Sequence, residues 1–557
     1  MTLSLIWPAG AARPDQHRPW LEGSAADLGL PELLGALGLS LRHQRFAEGV
    51  LLELTLDEGV IAYRQAVLDD LLRAPALAAE LERLLPELEE LAQPSYRSTQ
   101  ESRFYQTVAR LAELESFVSC VRRLAGALTA AAPRSAGWQA WTARLAELQA
   151  EPRFQALAAQ LPELGAKIRS AQSLTLGLNL DSHLRPVAVT LLAIHDRPFR
   201  DQSLLGRLLG DDDFAGLAPL HVAQEPDPGA SRADRELTDG RFAPLFRDLE
   251  DALSRAAEPI AKALRRYHGL NVQPLVDLAP ELAFYLGAAR LVQELRAAGL
   301  PVCRPEVAPA EARVSELRGF YNLHLARRLM AQRPGQDIAA ELVRNDVDLG
   351  PAAAGAGGRL GVLTGPNRGG KTTYTQGLGL AQVLFQAGLP VPAERARLSP
   401  VDAVCTHFTA EEKLHLDTGR LGEEARRAGA IFRRATRHSL VLFNEAFAST
   451  TPAEGLVLAR DVVRGLRQLG ARGLFTTHFH ELAAEAAALN AEAPAPTDLF
   501  SLAAGAEAAA GGQEARRTFQ IRPGPPLGTS YAREIAARYG LSLEQIQQTL
   551  RERGLTE

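Results

Sequence analysis

A glycine-rich loop near the middle of the sequence has the residue types and spacing of a phosphate-binding site. Gly365 is followed, after four residues, by Gly370, Lys371 and Thr372. Glycines allow backbone N–H groups to converge on phosphate oxygens, and the N-terminus of a following helix adds its positive dipole. We predict that Lys371 contacts the β- and γ-phosphates of a nucleotide and that the Thr372 hydroxyl ligates Mg²⁺. The alternative is a glycine-rich turn that only starts a helix.

The surroundings of the loop and the composition of the chain both favour the phosphate site. An apolar run from Leu360 to Thr364 predicts a buried strand before the loop, and a helix is predicted to begin near Lys371. Lysine is scarce, since only four of the 61 basic residues are lysines. An ammonium on a thin stem enters a phosphate-wrapping loop that the broad guanidinium of arginine does not fit. Lys371 therefore has a clear chemical reason to be retained.

Polar residues end two further apolar runs. The segment 439–445 (SLVLFNE) ends in Asn444 and Glu445, and the segment 473–481 (GLFTTHFHE) contains His478. A phosphoryl-transfer site needs one group near Mg²⁺ and another that orients the attacking water. We predict that Asn444 reaches the ion through a bound water, that Glu445 orients the attacking water, and that His478 senses the γ-phosphate.

Simpler interpretations of these polar residues stay open. Asn444 and Glu445 are also what a solvated strand end would carry, and His480 is also typical of a structural histidine. His478, His480 and Glu481 together have some resemblance to a metal site, but alternating strand positions supply no fourth ligand.

Composition and charge bound the function without deciding it. A net charge of −5 and an isoelectric point near 6.2 argue against a globally basic nucleic-acid coat, although a local basic groove is compatible with both values. The cysteines Cys120, Cys303 and Cys405 are far apart, which indicates neither a disulfide framework nor a zinc site. The chain has no secretory-type start and no run of 18 apolar residues. We therefore expect a cytoplasmic protein that is not in a membrane.

The elements that hold the candidate residues differ between the two parts of the chain. Residues 1 to about 330 have apolar residues at three- and four-residue spacing, which predicts long packed helices. Within this part, leucine alternates with other residues over 173–181, and an apolar run follows at 187–194. The two segments predict a small strand pair. The segment 208–240, rich in Asp, Gly and Pro, is predicted to be a loop or insertion.

From about residue 340, short apolar runs alternate with helical stretches. This pattern is typical of a parallel sheet with crossover helices. The segment 491–513, dominated by Ala, Glu, Pro and Gly, is predicted to be a flexible excursion before the last strand and helix.

The order of the motifs in this second part resembles the MutS family of DNA mismatch-repair ATPases, which share a fold with ABC transporter ATPases. Less specific similarity is present upstream, in segments that resemble the family's helical core and lever. The segments that carry the resemblance are 345–349 (NDVDL), 363–374 (LTGPNRGGKTTY), 388–394 (GLPVPAE), 444–455 (NEAFASTTPAEG), 476–482 (TTHFHEL), 528–532 (GTSYA) and, upstream, 61–71 (IAYRQAVLDDL) and 177–181 (GLNLD).

The resemblance implies a multidomain protein in which a mostly α-helical core and lever region precedes an α/β P-loop ATPase domain of the ABC type. We assign residues 1–170 to the helical core region and 171–335 to the lever or arm region with its strand pair. Residues 336–557 are assigned to the P-loop ATPase and dimerisation domain.

The resemblance also implies roles for individual residues. The triphosphate of ATP and its Mg²⁺ are expected at the loop, with Glu445 polarising water and His478 sensing the γ-phosphate. The segment Thr418-Gly-Arg420 lies where the family's signature segment reaches the ATP of a partner subunit, which implies a homodimer with composite ATP sites. The alternative for Thr418 is an ordinary cap of the helix predicted from Leu421 to Arg434. The residues expected to bind the nucleotide are Gly365, Pro366, Asn367, Gly369, Gly370, Lys371, Thr372, Thr373 and Thr418, with Thr372 and Asn444 serving the metal.

The sequence also departs from the family pattern. The family's usual Asp-Glu pair is Asn444-Glu445 here, so a lower Mg²⁺ affinity or hydrolysis rate is expected, and Arg368 stands where the family usually carries methionine. Full-length members of the family begin with a mismatch-reading domain, in which a Phe-x-Glu motif stacks on a mispaired base. The helical core is predicted to start within the first 60 residues here, so we expect no such domain. We interpret the match of Phe46-Ala-Glu48 to the Phe-x-Glu motif as coincidence. No C-terminal nuclease module is expected either.

The predicted function is ATP-dependent DNA binding of the MutS type, with ATP binding and hydrolysis coupled to DNA clamping in repair or recombination. Duplex or branched DNA would be held mainly through its phosphates, although each scattered arginine pair is also typical of a solvated helix face. The alternative is a slow, ATP-switched module that binds proteins, and a small-molecule P-loop kinase is disfavoured. The arginine pairs considered are Arg122-Arg123, Arg265-Arg266 and Arg327-Arg328.

Overall fold

The computed structural model describes most of the chain. The described residues are 3–11, 20–92, 103–170, 172–180, 182, 186–197, 253–254, 257–267, 270–351, 358–409, 419–507, 516–526 and 540–555.

The secondary structure is mainly helical, with strands concentrated in the second half of the chain. The helices are α1 (Ser24–Asp27), α2 (Leu30–Ala36), α3 (Leu41–Leu52), α4 (Glu58–Arg73), α5 (Pro75–Leu91), α6 (Arg103–Ala131), α7 (Ala136–Ala150), α8 (Pro152–Arg169), α9 (Gln273–Ala297), α10 (Leu323–Gln332), α11 (Ile338–Glu341), α12 (Lys371–Gln386), α13 (Arg420–Arg434), α14 (Pro452–Leu469), α15 (His480–Ala484), α16 (Ala486–Glu492) and α17 (Leu543–Glu552). The strands are β1 (Ser173–Leu180), β2 (Pro186–His195), β3 (Glu306–Val307), β4 (Ser315–Phe320), β5 (Asn345–Leu349), β6 (Leu360–Thr364), β7 (Arg395–Leu398), β8 (Val404–Phe408), β9 (Leu440–Asn444), β10 (Arg472–Thr476), β11 (Leu499–Glu507) and β12 (Arg516–Pro523).

The chain forms two compact units. The first comprises Met1–Ala79, Pro133–Ala140 and Pro280–Glu557, and the second comprises Glu80–Ala132 and Trp141–Ala279. The three regions assigned from the sequence divide the chain by expected role, and that assignment stays a prediction.

The second unit is built on long helices. The apolar faces of α6 and α8 pack together, and Phe117 meets Phe154 edge to face at 6.1 Å between ring centroids. β1 and β2 form an antiparallel pair, which confirms the predicted strand pair. The predicted loop at 208–240 lies outside the described residues.

The first unit contains a six-stranded sheet in the order β12-β11-β6-β10-β9-β8. All neighbours are parallel except β11 and β12. Every residue of β6, β8, β9 and β10 is buried, which agrees with their continuous apolar sequences, since a parallel strand covered on both faces needs no polar alternation. The predicted parallel sheet with interleaved helices is thus confirmed for the described residues, and a smaller sheet in the order β3-β7-β4-β5 accompanies it.

The prediction of a flexible excursion over 491–513 is wrong for β11. This strand pairs with β6 on one side and with β12 on the other. Its small residues make the strand difficult to recognise from the sequence. The small size of one of them, Ala504, has a steric explanation: this residue packs so closely against the loop that a Cβ added to Gly365 would lie 2.7 Å from the Cβ of Ala504. Small side chains in β11 therefore make room for the glycine loop.

None of the described helices is both long enough and apolar enough to span a membrane.

A buried arginine joins the six-stranded sheet to the smaller one. Arg472, at the start of β10, is 0% exposed. Its Nη1 donates to the carbonyl of Val314, and its Nη2 donates to the carbonyls of Ser399 at 2.6 Å and Pro400 at 3.1 Å. Since buried carbonyls without a donor are costly, this guanidinium stabilises the junction between β10 and the ends of β4 and β7.

We predict that Arg472→Met, which keeps the bulk but removes the donors, lowers the free energy of unfolding by about 3 kcal/mol. Urea denaturation measures the change. The matched control is Arg464→Met, because Arg464 pairs with Glu492 at the surface and its loss should cost less than about 1 kcal/mol. Equal effects of the two substitutions would contradict the prediction.

Candidate functional site

The glycine loop joins the carboxyl end of β6 to the first residue of α12, as predicted. Gly365 has φ 141° and Gly370 has φ 90°, and both values lie in the region that disfavours other residues. A Cβ on Gly369 would lie 2.9 Å from the carbonyl oxygen of Pro366. The loop backbone is therefore free of side-chain bulk just before the amino end of a 16-residue helix, which is the arrangement that a phosphate group requires.

Lys371 lies inside this loop. Its side chain is 3% exposed, and Nζ donates to the carbonyls of Gly365 at 3.0 Å and Pro366 at 3.1 Å. Nζ also lies 3.9 Å from Oε1 of Glu445. Burial lowers the pKa of Lys371, while the carboxylate of Glu445 acts in the opposite direction. The ammonium is thus held by two neutral oxygens and one distant anion.

The register of the parallel strands brings the predicted residues together. Asn444 pairs with Thr476, and Thr476 pairs with Leu363, so β9, β10 and β6 end at the same level. Glu445 and His478 follow these ends, and Nε2 of His478 lies 3.0 Å from Oε1 of Glu445. The hydrogen bond from His478 lowers the pKa of Glu445, with a smaller contribution from Lys371. Glu445 is therefore ionised at neutral pH and can accept a hydrogen bond from water.

Asn444 supplies a buried acceptor at the same edge of the sheet. The residue is 5% exposed, and its Oδ1 is buried without a hydrogen-bond partner. A buried acceptor without a donor is costly, so a bound group that provides one is expected. A water coordinated to Mg²⁺ would be such a donor, and the donor set of Asn444 and Thr372 is the oxygen type that Mg²⁺ prefers. The residues present fit the metal.

The remaining predicted residues that the structure describes lie in the loop or in the first turn of α12. Their ligand-binding roles stay predictions. Asn367 and Thr372 are exposed and Pro366 is buried, while the carbonyl of Thr373 accepts a hydrogen bond from Nδ2 of Asn322 at 2.8 Å. Thr418 lies outside the described residues.

Two alternatives were left open by the sequence, a helix cap at Thr418 and a metal site at His478, His480 and Glu481. α13 begins at Arg420, with Gly419 in the capping position, and the alternative of a helix cap at Thr418 falls on a residue outside the described ranges. Among the residues that the structure describes, no group of three or more His, Cys, Asp or Glu side chains is placed to hold a metal ion by itself.

Several neighbours of the loop were not found from the sequence. Asn322 caps α10 and also reaches Thr373 of α12. The hydroxyls of Thr375 and Thr476 lie 2.9 Å apart and join α12 to β10. Phe519 of β12 is the side chain nearest to the Cβ position of Gly370, at 3.5 Å. Each contact joins residues far apart in the chain, so no local motif marks it.

Two protein-family models match separate parts of the chain. The model of MutS domain V matches residues 361–505, from β6 to β11. The model of the MutS2 N-terminal domain matches residues 56–298. The loop, Asn444, Glu445 and His478 all lie in the first match. The chain belongs to the MutS family.

Individual MutS relatives support this membership. The chain is 31% identical over 275 residues to "Endonuclease MutS2" of Thermus thermophilus, which is 49% of this chain and 34% of the relative. It is 31% identical over 301 residues to "Endonuclease MutS2" of Thermomicrobium roseum, which is 53% of this chain and 35% of the relative. It is 36% identical over 144 residues to "Probable DNA mismatch repair protein Msh6" of Drosophila melanogaster, which is 26% of this chain and 12% of the relative. The alignments thus span about a third or less of each of these relatives.

We predict that Lys371→Met weakens ATP binding about 10- to 100-fold, because a charge-assisted hydrogen bond to phosphate is lost. Titration calorimetry in the presence of Mg²⁺ measures the dissociation constant. Lys262→Met is the matched control, since Lys262 is an exposed lysine of the other unit. An unchanged dissociation constant in Lys371→Met would show that the loop does not bind phosphate.

Proposed function

We propose that this MutS-family protein is an ATPase that binds DNA and couples ATP binding and hydrolysis to clamping of the DNA. The observation that carries the ATPase half is the meeting of Lys371, Glu445 and His478 at the end of β6, β9 and β10, beside a glycine loop. The DNA half depends on the family and on the relatives, one of which is described as a DNA mismatch repair protein.

Each residue of the cluster has a distinct part in the proposed reaction. Lys371 exchanges its loop carbonyls for phosphate oxygens and stabilises the charge that develops during transfer. Glu445, kept ionised by His478, accepts a hydrogen bond from the attacking water and orients it. His478 reports the presence of the γ-phosphate through its contact with Glu445. The Thr372 hydroxyl and, through a water molecule, Asn444 would hold Mg²⁺, which would supply positive charge to the phosphate oxygens.

We further propose a homodimer in which Gly419 and Arg420, at the start of α13, approach the ATP of the partner subunit. This placement comes from the family resemblance. It would make each ATP site depend on closure of the dimer, so that ATP binding changes the grip on DNA.

The proposed DNA contacts are mainly with phosphates. One arginine of each candidate pair has a carboxylate neighbour, since Arg123 pairs with Glu80 at 2.7 Å and Arg265 with Glu258 at 2.5 Å. Arg327 has a weaker contact, 3.9 Å from Glu294. Their neighbours Arg122, Arg266 and Arg328 are exposed and are the cations that we propose for DNA phosphate.

We expect the purified chain to hydrolyse ATP only with Mg²⁺ and to bind duplex or branched DNA in a nucleotide-dependent way. Affinity should fall steeply as salt rises, because phosphate contacts release counterions. An ATPase assay measures hydrolysis, and a fluorescence anisotropy titration at several salt concentrations measures DNA binding. Light scattering with and without ATP and DNA measures whether the chain forms the proposed dimer. Lys371→Met is the control for nucleotide dependence. No nucleotide-dependent binding to any DNA would refute the DNA half of the proposal.

Asn444 is the observation that favours a second candidate, a slow ATP-switched module that binds proteins. An amide brings no negative charge to Mg²⁺, and turnover would then be too slow for a DNA-processing cycle. The two candidates differ in the measured hydrolysis rate and in whether DNA changes it.

We predict that Asn444→Asp raises the rate of ATP hydrolysis about tenfold, because a carboxylate holds Mg²⁺ more strongly than an amide. The same substitution should lower the melting temperature in metal-free buffer, because the buried position offers the new carboxylate no partner. Added Mg²⁺ and ATP should restore it. An unchanged rate together with an unchanged melting temperature would place Asn444 away from the ion.

A further inference from the structure

The short helix α1 is attached to α12, the helix that begins at the glycine loop. Leu28, which follows α1, is 0% exposed, and a Cβ added to Gly379 of α12 would lie 2.5 Å from Cδ2 of Leu28. Nε2 of Gln376, also in α12, donates to the carbonyl of Asp27 at 2.9 Å. α1 is therefore fixed to the same helix that carries Lys371 at its first position.

The carboxylate of Asp27, at the end of α1, meets two other elements of the first unit. Its Oδ2 accepts a hydrogen bond from the hydroxyl of Thr406, in β8, at 2.6 Å. The same oxygen lies 2.8 Å from Nη2 of Arg427, in α13. The side chains of Asp27 and Arg427 are each 16% exposed, so solvent screens their attraction less than it screens an ion pair on the open surface. One carboxylate thus joins α1 to both β8 and α13.

The guanidinium of Arg427 bridges α1 and the end of β8. While Nη2 meets Asp27, Nη1 donates to the carbonyl of Phe408, the last residue of β8, at 2.8 Å. A planar guanidinium holds two partners in a fixed relative geometry. Gly23, at the N-cap of α1, has φ 86°, and a Cβ added there would lie 3.3 Å from Nη2 of Arg427. The backbone at the start of α1 therefore also lies close to this guanidinium.

Apolar packing holds α13 against the sheet but does not by itself define the tilt of the helix. Ala428 and Ile431 are buried in the core, and apolar burial has no directional preference. The first turn of α13, residues 420–423, contains no buried residue. Nε2 of His407 lies 3.0 Å from the carbonyl oxygen of Glu424, and the bridge of Arg427 adds two further directional contacts. Through α1, this bridge also connects α13 with α12.

We propose that Asp27 is a positioning residue that links the ATP loop to the end of α13 that approaches the partner subunit. Through Gln376 and Arg427 it holds the tilt of α13 relative to α12. That tilt decides where Gly419 and Arg420 meet the partner's ATP. Asp27 itself contacts no nucleotide in this role. The inference rests on the proposed homodimer, and it concerns a residue outside both segments that the family models match, 56–298 and 361–505.

The test measures dimer formation with Mg²⁺ and the non-hydrolysable ATP analogue AMP-PNP, by analytical ultracentrifugation. Asp27→Ala removes the carboxylate and leaves the carbonyl that Gln376 meets. It should raise the dissociation constant of the dimer about tenfold, because a charge-assisted contact that orients α13 is lost. Asp27→Asn keeps an acceptor without the charge and should have a smaller effect.

Affinity for the nucleotide separates positioning from direct binding. In a fluorescent nucleotide titration at protein concentrations too low for dimer formation, Asp27→Ala should change the dissociation constant of AMP-PNP by less than about twofold, because Asp27 lies outside the loop. Asp27→Ala combined with Arg427→Ala should weaken the dimer little more than Arg427→Ala alone, since the two side chains act through one contact. Additive effects of the two substitutions would contradict the link.

The matched control is Glu22→Ala. Glu22 also meets α13, where its Oε2 lies 3.9 Å from Nη2 of Arg426, but its side chain is 85% exposed. Its loss should change the dissociation constant of the dimer by less than about twofold. Hydrogen exchange gives a readout that needs no dimer: Asp27→Ala should speed exchange of the amides in the first half of α13, and Glu22→Ala should not.

The outcomes distinguish the role of Asp27 from the proposed function. A wild-type chain that stays monomeric with AMP-PNP would overturn the proposed homodimer and the role of Asp27 with it. A wild-type dimer that Asp27→Ala leaves unchanged would overturn the role of Asp27 alone, and a lower melting temperature in that variant would then show a contact that only stabilises the fold.

Discussion

The common register of β6, β10 and β9 is the constraint on which the candidate site depends. Parallel strands that end at one level place whatever follows them at one edge of the sheet. Three separate stretches of sequence thereby deliver a lysine, a carboxylate and an imidazole within hydrogen-bonding or ion-pair distance. A one-residue slip of β9 would turn each of its side chains to the opposite face of the sheet and separate Glu445 from His478. The full burial of these strands makes such a slip costly.

The sheet edge alone does not complete the site, because three kinds of support surround it. Small residues in β11 leave room for the loop, hydroxyls of Thr375 and Thr476 join the loop helix to β10, and Arg472 secures the opposite end of β10. These supports come from helices and strands that are distant in sequence, so the site depends on the fold of the first unit as a whole.

Patterns over a few consecutive residues predicted the strands, the loop and the helix start that carry the candidate site residues. β6, the loop and the start of α12 were predicted because a buried apolar run, glycine spacing and a helix start lie next to one another. The ends of β9 and β10 were predicted for the same reason. β11 was missed because Ala503, Ala504 and Gly505 lack the bulky apolar or β-branched side chains by which strands are recognised. The contacts of Arg472 could not be predicted, because they join residues that only tertiary packing brings together.

The hydrogen bonds from Lys371 to the carbonyls of Gly365 and Pro366 have a consequence for nucleotide entry. These bonds keep the glycine loop folded around a positive charge. In the proposed ATP site, a phosphate would replace the two carbonyl oxygens as the partner of the ammonium, and the loop backbone would keep its path. The entropic cost of ordering the loop would then be met during folding, and it would not weaken the affinity for the nucleotide.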